Sequence, residues 1–295
     1  MGAIKDRHYA GGDMTQSRTS TVPLRPLGTA EILDGAVRAV WANARTVLAI
    51  AVPFAIVRAG LDALIQLAAV NSKDAATLLL LGSLLISIAA GTLLTGMLAP
   101  VFSGHLVGRR LTARAALSAV GRTAFGLLVL GVVITVAEGV GLALFVVGGV
   151  WLWGMWAVAA PALVLERTGV VGALRRSWQL VEGRFWRTWG IRALGWVLTS
   201  VLGLFISLPF EVLADLITHA NPLDTANGVS SPTLYVTITA IGTLLGGIVL
   251  GPIAAAIDVL IYTDLRMRKE GMDIVMALPP APPVGSAQRP AVTAW

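Results

Sequence analysis

The chain predicts an all-α, polytopic membrane fold: about six transmembrane helices arranged in three hairpins, each preceded by a cytoplasmic amphipathic interfacial helix. Three observations point there. Of 295 residues, 56% are hydrophobic and only 13% charged, with a mean hydropathy of +0.80. Soluble domains carry about a quarter charged residues, so this chain could not cover its surface in water. Six apolar segments, at 46–68, 77–99, 124–146, 149–165, 188–209 and 234–262, have about the length needed to cross roughly 30 Å of hydrocarbon. Finally, the cations fall almost wholly on one side of those segments.

Residues 1–27 are polar and contain no apolar run long enough for a signal peptide, so they read as a disordered cytoplasmic tail. The membrane domain spans 28–276. It opens with 31–43 (EILDGAVRAVWAN), where Ile32, Leu33, Ala36, Val37, Val40 and Trp41 share one helical face. Spans 1 and 2 follow. Residues 112–122 and 171–184 repeat the amphipathic pattern ahead of spans 3 and 5, which suggests an internal threefold repeat. The run 124–165 is continuous, and Gly148-Gly149 is its only turn signal. Spans 5 and 6 flank an external loop at 210–233. The last segment, 277–295, holds five prolines and reads as a second disordered cytoplasmic tail.

The charges decide whether 124–165 crosses once or twice. Six cations precede or open span 1 (Lys5, Arg7, Arg18, Arg25, Arg38, Arg45), and four separate spans 2 and 3 (Arg109, Arg110, Arg114, Arg122). Six more lie around the start of span 5 (Arg167, Arg175, Arg176, Arg184, Arg187, Arg192), and four follow span 6 (Arg266, Arg268, Lys269, Arg289). Only Lys73 falls in an opposite-side loop, and Arg58 lies within span 1. That asymmetry requires two crossings in 124–165 and places both termini in the cytoplasm of a plasma membrane.

Ionisable groups inside a bilayer are costly, so each invites a role. Arg58 and Asp62 lie one helical turn apart in span 1, and Glu138 in span 3 lies at matching depth, which makes an intramembrane polar cluster of the three. Arg192 in span 5 and Asp258 in span 6 match in depth as a structural ion pair. Arg175, Arg176 and Arg184 are placed to contact anionic lipid headgroups. Gly242, Gly246, Gly247 and Gly251 in span 6, and Gly91 with Thr95 in span 2, mark close helix packing. Trp151, Trp153 and Trp156 are expected near the outer interface, and Trp178, Trp186 and Trp189 at the inner one.

The chemistry that is missing is equally informative. There is no cysteine, and the three histidines (His8, His105, His219) are far apart, so neither a metal centre, a thiolate nucleophile nor a histidine relay is expected. No phosphate-binding loop, dinucleotide fingerprint or nucleophile elbow occurs. No cofactor and no nucleic acid are expected. The expected partners are membrane lipids with anionic headgroups on the cytoplasmic side, with room for an unidentified membrane-protein partner.

Three stretches carry a resemblance: 25–40 (RPLGTAEILDGAVRAV), 161–190 (PALVLERTGVVGALRRSWQLVEGRFWRTWG) and 260–274 (LIYTDLRMRKEGMDI). Together they resemble the glycerophosphoryl diester phosphodiesterase membrane domain, a family of actinobacterial and other bacterial membrane proteins. The middle stretch, with Glu166, Arg175-Arg176-Ser177-Trp178 and Phe185-Trp186, is the most specific. The resemblance implies the helical membrane portion that in some members precedes a soluble phosphodiesterase barrel. Nothing in this chain is long or polar enough to be that barrel. The expectation is therefore a non-enzymatic scaffold or accessory factor. The alternative is a small transporter or lipid-handling protein that uses Arg58, Asp62 and Glu138.

Overall fold

The structure is a computed structural model that describes residues 27–70, 75–218 and 231–271. Residues 1–26 of the N-terminal tail, the 277–295 tail, His8, Lys73, His219 and positions 219–230 of the expected external loop lie outside the described residues. Everything regular among the described residues is helical. The first unit is α1 (Thr29–Ala42), α2 (Ala44–Val70) and α3 (Ala75–Leu106). The second is α4 (Ala113–Gly121), α5 (Ala124–Leu144), α6 (Val146–Met155) and α7 (Ala159–Glu166). The third is α8 (Val170–Val181), α9 (Phe185–Thr218) and α10 (Pro232–Glu270). Six spans are long and apolar enough to cross a membrane, α6 and α7 together forming the fourth. The chain is a multi-pass, all-α membrane protein.

The repeat is visible in the amphipathic helices. Gly35-Ala36-Val37-Arg38, Ala115-Ala116-Leu117-Ser118 and Gly172-Ala173-Leu174-Arg175 occupy the same place in α1, α4 and α8. Ala36, Ala116 and Ala173 are each fully buried, while Arg38, Ser118 and Arg175 two residues later are exposed. A side chain no larger than a methyl is what lets each short helix lie close against the bundle.

These short helices tie the units into a ring. Each packs on the second span of the unit before it: α4 on α3, α8 on α7, and α1 on α10, which closes the circle. Each first span lies between its own second span and the preceding unit's: α2 between α3 and α10, α5 between α6 and α3, and α9 between α10 and α6. The second spans α3, α7 and α10 meet one another in the middle. Each carries a buried proline after a small residue: Ala99-Pro100, Ala160-Pro161 and Gly251-Pro252.

The dense core lies at one end of the bundle, where Leu98, Phe102, Ala162, Leu163, Leu260 and Leu265 are buried with Ile32 and Leu180 from the short helices. Arg109, Arg122, Arg184 and Lys269 belong to this same basic end, just before first spans and in or beyond the last turns of second spans. Toward the other end the helices expose Leu64, Leu81, Phe205 and Leu216, the apolar surface a bilayer would cover.

Two expectations are corrected here. The turn between spans 3 and 4 is not at Gly148-Gly149 but at Phe145, whose extended backbone (φ −148°, ψ 107°) separates α5 from α6. Both glycines are helical, and Gly149 packs against Gly141 and Leu142, where a Cβ would meet atoms at 2.4 Å. The pair is used for close approach rather than for turning. The expected external loop also begins later, because α9 continues through Glu211 and Asp215 to Thr218.

Span 4 breaks at Trp156–Val158, between α6 and α7. Ser177 of α8, fully buried, repairs the break: its hydroxyl donates to the Met155 carbonyl (2.8 Å) and accepts from the Val158 N–H (3.4 Å). Broken helices persist in membranes only where such groups are satisfied. Ser177→Ala is expected to lower stability by about 2 kcal/mol by orphaning those groups. Thermal unfolding of the detergent-solubilised protein measures it, and an unchanged midpoint would show that the contacts contribute nothing.

Candidate functional site

The polar side chains gather into three places. The most connected is at the basic end, around Asp264, whose residue is 1% exposed. Its carboxylate accepts from the Leu27 N–H (2.8 Å), Arg187 Nη1 (2.5 Å) and Arg268 Nε (2.9 Å). The same two arginines donate to the Leu27 carbonyl, at 2.6 and 2.9 Å. One buried carboxylate thereby joins the entry to α1, the start of α9 and the end of α10.

Beside it, Glu166 at the end of α7 accepts from Arg176 Nε (2.9 Å) and the Tyr262 hydroxyl (2.7 Å). Arg176 also reaches Glu270, which Arg266 holds from one turn away at 2.8 Å. Burial disfavours the Arg176 charge, but the hydrogen bonds and charges of Glu166 and Glu270 outweigh it and raise its pKa above the ordinary arginine value. Lys269 donates to the Gln179 and Glu182 carbonyls at the end of α8. Tyr262, Asp264, Arg266, Arg268, Lys269 and Glu270 follow closely in α10, so this helix end clamps both α8 and α9.

The second place is inside the membrane region, where Arg192 of α9 meets Asp258 of α10 at 3.1 Å. Its guanidinium also donates to the Trp153 carbonyl and lies 4.6 Å from the Trp153 ring centroid. The expected pair forms because α9 and α10 are the two arms of one hairpin. Glu138 belongs here too: it is 3% exposed, and the charges that act on it are those of Arg192 and Asp258. No hydrogen bond from a described residue reaches its carboxyl.

The third place holds the rest of the expected cluster. Arg58 lies 3.8 Å from Asp62 and donates to Ser87 Oγ of α3 at 3.1 Å, while one Asp62 oxygen is buried without a partner. Arg58 and Asp62 therefore meet, but Glu138 is not with them. The reason is lateral: α2 packs on α3 and α10, whereas α5 packs on α3 and α6, so α3 stands between helices at matching depth. Three of the expected α10 glycines do mark close packing, Gly242 against Phe210 of α9, Gly247 against Ala55 and Arg58, and Gly251 against Leu94, whereas Gly246 of α10 and Gly91 of α3 do not, since a Cβ at either would meet nothing within 4 Å.

The lipid-facing arginines also divide. Arg176 is turned into the Glu166 and Glu270 network, whereas no described residue pairs with Arg175 or Arg184. The tryptophans do not split between two interfaces. Trp151 stacks edge-on against Trp178 (5.0 Å) and Trp153 against Trp189 (6.5 Å), because the early turn and the break in span 4 bring α6 down onto α8 and α9.

The sequence expectations missed Asp264, Glu166, Tyr262 and Glu270, although the signal was present. All four, with Leu27, Arg176 and Arg187, fall in the three stretches 25–40, 161–190 and 260–274, and these stretches meet at the basic end. Asp264 with Arg268 and Arg266 with Glu270 are also spaced at i,i+4. Among the described residues no group of acidic or histidine side chains could hold a metal ion. Comparisons with family models, with curated proteins and with solved structures returned no match.

Proposed function

We propose that the protein is a non-enzymatic, multi-pass plasma-membrane scaffold or accessory factor of the glycerophosphoryl diester phosphodiesterase membrane-domain type, with both termini cytoplasmic and its basic end on anionic lipid. The observation that supports this is how the charges are spent. Glu166, Asp258, Asp264 and Glu270 each hold an arginine on another helix, so these charges join helices. What the basic end presents outward includes Arg175, the half-buried Arg184, Trp41 and Trp186 on or beside the short helices, a surface suited to headgroups and their glycerol region. Each exposed arginine near an anionic leaflet is worth about 1 kcal/mol. Lipid that co-purifies with the intact protein should therefore be richer in anionic species than the host membrane, and the enrichment should fall as salt rises. A composition equal to the bulk membrane would overturn the proposal.

A small transporter or lipid-handling protein is the second reading, supported by carboxyls left over in the membrane region. One Asp62 oxygen and the whole Glu138 carboxyl lack hydrogen bonds from described residues. They belong to separate places, so each would act alone. Proton-coupled flux in liposomes that is lost in Glu138→Gln at unchanged yield would favour it over the scaffold.

A further inference from the structure

We infer that the groove between α8 and the break in span 4 is a discrete site for one anionic phospholipid, a proposal that rests on the lipid-contacting reading above and narrows it to one place. The groove is about 450 Å³ and is lined by Trp156, Val171, Leu174, Arg175, Trp178 and Gln179. That volume accommodates a headgroup, its glycerol and the upper part of a chain. Two chemistries lie side by side along it. Val171, Leu174 and Trp178 of α8, with Trp156 of the break, supply apolar surface, while Arg175 and Gln179 of the same helix supply a cation and an amide donor for phosphate or ester oxygens. No carboxylate lines it.

The charge is what commits the groove to an anionic occupant. Most neighbouring arginines are taken: Arg176 by Glu166 and Glu270, Arg187 and Arg268 by Asp264, and Arg266 by Glu270. Arg167 and Arg184, on either side of α8, do not line the groove. Arg175 has no partner among the described residues. At the matching position of the repeat, Arg38 of α1 is bound by Asp34 at 2.8 Å, and α4 carries Ser118. Arg114 of α4 also has no partner among the described residues, but it lies two positions before the buried Ala116, not at this place in the repeat. Arg175 is the guanidinium that is both uncommitted and in the wall of this groove. Trp156 and Trp178 place that groove among interfacial aromatics, and α9 enters its span a few residues on, from Phe185. A ligand must offer a negative phosphate and an acyl chain together, which is an anionic phospholipid.

Native mass spectrometry of the full-length protein in detergent, titrated with phosphatidylglycerol or with phosphatidylcholine of the same chains, tests this. The wild type should give one adduct that favours the anionic lipid. Arg175→Gln should weaken that adduct at least about tenfold, as expected for a lost charge-assisted hydrogen bond, while the phosphatidylcholine adduct changes little. Arg38→Gln should leave both unchanged. Because Arg175 is exposed and unpaired, the variant should fold, and an unaltered unfolding midpoint checks this. Equal losses in Arg175→Gln and Arg38→Gln would mean diffuse attraction to the basic end; that overturns the groove but leaves the broader reading intact. No preference for anionic lipid in the wild type would overturn both.

Discussion

Asp264→Asn is expected to cost the folded protein about 3–5 kcal/mol, the range for removing one partner of a buried ionic network. The carboxylate is 1% exposed and holds two guanidinium groups and the Leu27 N–H. Asparagine keeps the shape, but it leaves Arg187 and Arg268 without a counter-charge and turns an N–H₂ toward one of them. The Arg187 and Arg268 side chains are only 30% and 21% exposed, so water and the Leu27 carbonyl replace the lost counter-charge only in part. The control is Asp34→Asn, which removes an equally short i,i+4 bridge to Arg38 whose side chains are 60% and 66% exposed. Solvent and salt make that pair worth only about 0.3–0.5 kcal/mol. Thermal unfolding in detergent should therefore separate the two variants widely. Similar midpoints would mean that the Asp264 network joins helices without stabilising them.

The contrast between those two aspartates shows what the sequence carried and what it did not. Depth and helix face can be read from periodicity and from the approximate rise per residue. That was enough for six spans, for three amphipathic helices and for Arg192 meeting Asp258, since the arms of one hairpin are neighbours by necessity. It was not enough for Arg58 and Glu138. Their depths match, but α3 stands between α2 and α5, and lateral order around a bundle follows from packing that no single helix encodes. The Gly148-Gly149 turn failed for a related reason. Glycine serves both turns and close helix contacts, and the facing Gly141 that decides between them is seven residues upstream. The repeat was legible only as a pattern of polarity, because the shared Ala36, Ala116 and Ala173 are too common a residue to stand out before their burial is known.

Arg192→Ala is expected to impair folding as severely as any substitution in the membrane region. The arginine neutralises Asp258 at 3.1 Å, is the cation whose charge reaches Glu138, and caps the Trp153 carbonyl next to the break in span 4. Without it two carboxyls share a low-dielectric site with no cation, and each unpaired charge there costs about 2.5–3.5 kcal/mol on insertion scales. The sign of a second substitution distinguishes charge from packing. If uncompensated charge is the cause, Arg192→Ala with Asp258→Ala should recover part of the lost yield and midpoint, and adding Glu138→Gln should recover more, since each step removes a group that the arginine had balanced. If lost contact with the Trp153 ring and carbonyl is the cause, the double and triple variants should be no better than the single one. Folded yield and unfolding midpoint in detergent read both outcomes. Recovery that came from Asp258→Ala but not from Glu138→Gln would place Glu138 outside the balance that Arg192 maintains.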